Sequence, residues 1–99
     1  MQVKQSSKCR QGLKPPAERP VTSWDGKLSF LFQRTPSGVH VERRQEVAHG
    51  AHQTGVVSIQ IFFATSDEFD RFCGADSLRH EYAFCFANAK RAFNELIAF

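Results

Sequence analysis

No apolar run in the 99-residue chain approaches the roughly 20 residues that a membrane span requires, so no transmembrane helix is expected. The first residues are polar and basic and lack an apolar core segment, which argues against a secretory signal. Cysteine is scarce. Cys9, Cys73 and Cys85 are odd in number and show no paired spacing, so they do not suit a disulfide framework and fit a reducing compartment. A cytoplasmic protein is expected. A phosphate-binding glycine loop is also missing, because Gly50 and Gly55 lack a strand before and a helix after them in the required register. No carboxylate pair stands out for acid–base work. Asp67, Glu68 and Asp70 belong to a helix start, and Glu42 and Glu46 alternate with Arg44 on a strand face where cross-strand pairing explains them.

Two further chemistries fail on placement. His49 and His52 sit three apart in a glycine-flanked loop, with His40 or a cysteine as a conceivable third ligand. Zinc sites, however, draw Cys or His pairs from two separate places, and this loop has one pair and no Asp or Glu. They read as solvated loop histidines. Cys73 and Cys85 fall on faces expected to be buried, where a thiol is a small inert hydrophobe, and His80 lies across the helix from Cys85. No catalytic residue, metal or cofactor is expected, and the protein reads as a non-enzyme.

What the chain does have is a single change of hydrophobic rhythm at Thr65-Ser66. Apolar residues recur every second position before it and every third or fourth after it, which predicts strands first and helices last. The first short strand is expected at 21–24, followed by Asp25-Gly26, a hairpin signal that needs positive φ. In the second strand, 27–33, Leu28, Phe30 and Phe32 share one face and Leu31 points to the other. Thr35-Pro36-Ser37-Gly38 supplies the next turn. In the third strand, 39–47, Val39, Val41 and Val47 share a face with Arg43 and Gln45, whereas His40, Glu42, Arg44 and Glu46 take the wet side. The fourth strand, 56–63, is the most apolar and is expected to be central or best buried.

Thr65 and Glu68 form a capping-box pattern for a short helix that Gly74 ends. Asp76 or Ser77 is expected to cap a longer helix over 78–97. Its buried arc contains Leu78, Tyr82, Cys85, Phe86, Ala89, Ala92, Phe93 and Leu96. The predicted fold is therefore α+β: a four-stranded antiparallel β-meander, roughly 21–63, with two C-terminal helices packed on one face. Residues 1–19 read as a disordered basic tail and 20–99 as a single domain. About 80 residues is a thin margin for an independent core, which a homodimer would widen.

Charge is uneven. Lys4, Lys8, Arg10, Lys14 and Arg19 face only Glu18 in residues 1–20, whereas residues 21–99 carry eight Lys or Arg against nine Asp or Glu. The basicity belongs to the tail. Phe84 breaks the helix pattern by lying on its polar side, and Phe62 and Leu31 point outward from the sheet. These three residues are the candidate interface of a homodimer, formed through outward aromatics or an open strand edge. The alternative is a single-stranded nucleic-acid-binding module using the open sheet face. Its candidate contacts are His40 and Arg44 with Lys4, Lys8, Arg10 and Lys14 of the tail. Glu42 and Glu46 on that face would repel phosphate.

The run 64–93 resembles a group of small bacterial proteins of unknown function. These carry a β-meander, a short helix, a Gly-Ala break, and a last helix bearing a Phe, a basic residue and another apolar residue. The matching positions are Phe69 and Phe72, Gly74-Ala75-Asp76, and Phe86, Lys90 and Phe93. The resemblance implies a bacterial source and transfers no catalytic residue. The function expected is a small interaction domain, homodimeric and without a membrane partner.

Overall fold

The period-2 segments pair in the order in which they are made. A computed structural model describes residues 18–48 and 50–98. The expectations for Lys4, Lys8, Cys9, Arg10, Lys14 and His49 lie outside the described residues. Strands β1 (Glu18–Thr22), β2 (Leu28–Thr35), β3 (Gly38–Ala48) and β4 (Thr54–Phe63) form one antiparallel sheet in the order β1-β2-β3-β4. Helices α1 (Ser66–Ala75) and α2 (Ala83–Ile97) follow and cover one face, so the fold is α+β. Among the described residues no helix is long and apolar enough to cross a membrane.

Side-chain alternation decides what is buried. Leu28, Phe30 and Phe32 of β2 and Val39 and Val41 of β3 turn inward and meet Phe69 and Cys73 of α1 and Cys85, Phe86, Ala89, Phe93 and Leu96 of α2. Aromatic rings dominate the contact. Phe69 stacks on Phe93 with centroids 4.7 Å apart, while Phe32 and Phe63 meet Phe69 edge-on at 5.6 and 5.3 Å. Edge-on and offset geometries are the ones that ring quadrupoles favour. Burying each such ring contributes roughly 1.5–3 kcal/mol, so this cluster is the main source of fold stability.

The Thr65 capping box forms as its spacing predicts. The Glu68 amide donates to Thr65 Oγ1 and the Thr65 amide donates to Glu68 Oε1, both at 3.3 Å. The reversal of the chain immediately after Phe63 brings the helices back over that end of β4.

Four expectations are corrected. β4 is not central; it is an edge strand, and β2 is the best-buried one. Short hairpin connections lay consecutive strands side by side, so the last strand made ends at the margin, whatever its hydrophobicity. The second helix starts at Ala83 rather than 78, and 77–82 form turns. Asp76 explains the delay. Its Oδ1 accepts from the Leu78 amide at 2.8 Å, and its carboxylate pairs with Arg43 at 3.1 Å, holding the chain down on β3. Tyr82 precedes α2 as its N-cap residue and makes no side-chain cap bond, and α1 runs one residue past Gly74 to Ala75. The third correction is at the start of the sheet. β1 occupies Glu18–Thr22, so Glu18 and Arg19 belong to the sheet and Trp24 stands outside it. Finally, Asp25-Gly26 sits within a five-residue connection, 23–27, closed by the Ser23 amide donating to the Leu28 carbonyl at 2.8 Å. Gly26 has φ +76°, the positive value this turn needs.

Candidate interaction surfaces

The open side of β4 follows from ladder arithmetic. Thr35 faces Gly38 across the turn between β2 and β3, and the Glu46 amide donates to the Lys27 carbonyl at 2.8 Å. Backbone groups alternate sides along an antiparallel strand. Even-numbered residues of β3 therefore address β2, and odd-numbered ones address β4. Their partners Gly55, Val57, Ile59, Ile61 and Phe63 turn their amides and carbonyls toward β3. The amides and carbonyls of Thr54, Val56, Ser58, Gln60 and Phe62 point the other way, where no backbone partner exists among the described residues.

The side chains around this edge are unusual for an open margin. β4 reads Thr-Gly-Val-Val-Ser-Ile-Gln-Ile-Phe-Phe, ten residues with no charge and no proline. Val56, Val57, Ile59 and Phe62 are 55, 50, 40 and 41 % exposed, Val56 and Phe62 on the outer face and Val57 and Ile59 on the inner. The helices bury Phe63 and partly cover Ile61, whereas Val57 and Ile59 on the inner face stay about half exposed. Native edges are normally blunted by Lys, Pro or a covering element. The opposite margin shows what that looks like: β1 is short, carries Glu18, Arg19 and Pro20, and its Arg19 is tied to Glu95 of α2.

The outward candidates separate into two places. Phe62 lies on the outer sheet face against His40, with ring centroids 5.2 Å apart, and Leu31 is half-buried on the same face. Phe84 is 86 % exposed on the helical layer, so it does not join them. It lines a groove of about 530 Å³ with Trp24, His80, Tyr82 and Asn88. Sequence reading missed Trp24 by placing it in a strand. Its position directly before Asp25-Gly26 was the available signal, since a turn-tip residue has no core to enter. Asp25 holds this turn by accepting from Ser23 Oγ (2.7 Å), the Lys27 amide (3.0 Å) and the Tyr82 hydroxyl (3.3 Å). The Ser23 hydrogen bond, followed by the Lys27 amide, pulls the Asp25 carboxyl below its usual range. Burial, then the nearby Asp25 charge, pushes the Tyr82 phenol up.

His40 and Arg44 both lie exposed on the outer face, as their register predicts. Glu42 and Glu46 share it, and Glu42 accepts from Ser58 Oγ at 2.9 Å. Burial raises the Cys73 thiol to about 12 and the Cys85 thiol to about 11, which removes nucleophilic thiolate near neutral pH. Among the described residues no three His, Cys, Asp or Glu side chains converge to hold a metal ion. His52 is exposed.

Comparison with family models, with curated proteins and with solved structures gives no match.

Proposed function

We propose that this chain is a small, non-enzymatic, cytoplasmic interaction domain whose working form is a homodimer joined along β4. One observation carries the reading: a ten-residue edge strand without charge or proline leaves its outward backbone groups free, with apolar side chains on both faces. A second copy of the same strand satisfies those groups without bringing any like charges together. The buried, protonated thiols support a structural role for Cys73 and Cys85, and free cysteines fit a reducing compartment. The resemblance over 64–93 supports a bacterial source.

The single-stranded nucleic-acid reading draws less support. The outer face sets Glu18, Glu42 and Glu46 against Arg44, a poor footprint for a polyanion.

The test uses Gln60→Pro. The Gln60 amide faces away from β3, so proline there removes an outward donor and no bond of the existing ladder. Light scattering over a concentration series should show a dimer for the natural chain and a monomer of unchanged circular dichroism for Gln60→Pro. A natural chain that stays monomeric at every concentration, or a Gln60→Pro chain that dimerises equally well, overturns the proposal.

A further inference from the structure

The β4 edge also specifies how two copies meet, an inference that rests on the homodimer proposed above. Residues directly opposite each other in an antiparallel pair point to the same face of the sheet. Two copies of β4 must therefore pair odd with odd and even with even, because a one-residue slip would turn Val57, Ile59 and Ile61 of one copy to the wrong side of the other. The midpoint of Thr54–Phe63 falls between Ser58 and Ile59, so two registers centre the contact: Ser58 opposite Ser58, or Ile59 opposite Ile59.

The side chains separate them. With Ser58 on the two-fold axis, Val56 meets Gln60 and Thr54 meets Phe62, each an apolar group against a polar one. With Ile59 on the axis, every pair matches in character: Ile59 with Ile59, Val57 with Ile61, Val56 with Phe62, and Ser58 with Gln60. Gly55 then lies opposite Phe63, and with no side chain of its own it does not crowd that core ring. The outward-facing groups of Val56, Ser58, Gln60 and Phe62 all find partners in this register.

The second register also covers the half-exposed inner face. In each copy the helices cover the Phe63 end of β4, where Phe72 of α1 sits 5.4 Å from the Phe63 ring, and leave the Val57 end open. Antiparallel pairing sets the covered end of one copy beside the open end of the other. Both helical layers then lie on the same side of a continuous sheet. We infer that two copies of this chain pair β4 to β4 about Ile59, forming an eight-stranded sheet in which the Phe63–Phe72 end of each copy shelters Val57 and Ile59 of the other.

Disulfide trapping reads the register directly. An antiparallel pair that exchanges no hydrogen bonds sets its Cα atoms about 4.5 Å apart, within disulfide reach, whereas diagonal neighbours lie at about 7–8 Å. Ile59→Cys and Ser58→Cys are each placed in a Cys9→Ser chain and treated with oxidised glutathione. That reagent accepts the two electrons and two protons released as the new bond forms. Cys73 and Cys85 stay silent because they are buried and protonated. The expected result is a covalent dimer for Ile59→Cys and little or none for Ser58→Cys. Cross-linking of Ser58→Cys in preference to Ile59→Cys overturns this register. So does a dimer seen by light scattering in which neither variant cross-links, an outcome that leaves the dimer itself standing. Absence of any dimer removes both proposals.

Discussion

Removing the Asp76 carboxylate should cost more stability than any other single change to a polar side chain in this fold. Asp76 and Arg43 are 5 and 13 % exposed, so the pair is largely out of water. Arg43 sits on the inner sheet face, where the β-strand period directs it toward the helices, and its Nη2 reaches Asp76 Oδ2 at 3.1 Å and Gln45 Oε1 at 3.2 Å. Its Nε is buried without a protein partner among the described residues. Losing one member of a buried pair costs about 3–5 kcal/mol, because the other charge remains buried. The surviving bond to Gln45 and the residual exposure place Arg43 at the low end, about 3 kcal/mol. Asp76→Ala also strands the Leu78 amide, adding about 1 kcal/mol. Asp76→Asn retains an acceptor for that amide and should lose only the charge, about 2 to 3 kcal/mol. Against a total of about 5–15 kcal/mol, the alanine variant approaches global unfolding. Urea denaturation measures these costs, with the slope expected to stay constant. Combining Arg43→Met with Asp76→Asn should restore most of the loss, since an apolar replacement leaves no unpaired charge. If Asp76→Asn lowers stability by less than about 0.5 kcal/mol, the ion pair is not the strut described here.

Three other outcomes follow from the geometry. Gly38→Ala places a Cβ 2.5 Å from the Phe63 carbonyl and 3.0 Å from Ala64 Cα, backbone atoms that yield poorly, so it should cost about 1–3 kcal/mol in the same urea assay. The depressed Asp25 carboxyl contributes stability that is complete above its ordinary value of 3.8 and disappears as pH falls through the lower folded value. The stability gap between the natural chain and Asp25→Asn should therefore be constant near neutrality and close in acid; a gap that persists in acid contradicts the hydrogen-bond origin. With Cys9 replaced by Ser, a thiol reagent at neutral pH should label the native chain only at the rate of opening and label Cys73 and Cys85 at once in denaturant. Rapid native labelling would mean that the helix–sheet interface is loose.

The strand-to-helix switch was legible because both periodicities are strong and the Thr65–Glu68 box marks the join. The inward set of β2 was legible for the same reason. What misled was β4. Apolar residues on both faces, as at Val56, Val57, Ile59 and Phe62, read as burial on both faces, yet they also describe a strand awaiting a partner. Composition alone does not separate the two, whereas strand order does. The late start of α2 was hidden too. Leu78 and Tyr82 keep helical spacing and still pack against the core, but Asp76 is held by Arg43 from a distant strand, a tertiary contact that local propensity cannot report. Trp24 ends the strand-like run 21–24 in the sequence, although the Asp25 hydrogen bonds make its neighbourhood a turn. The helical period puts Phe84 on the polar side of α2, where it is 86 % exposed, but the period does not report that this place on the helical layer separates it from Phe62 and Leu31.

Amide hydrogen exchange along β4, read residue by residue at high and low protein concentration, tests the central claim most directly. The Val57, Ile59 and Ile61 amides face β3 and should be protected at both concentrations. The Val56, Ser58 and Gln60 amides face the open edge and should be protected only at high concentration, losing protection together on dilution. If those three exchange freely at every concentration, β4 joins nothing, and the account of this protein as an edge-paired dimer is contradicted.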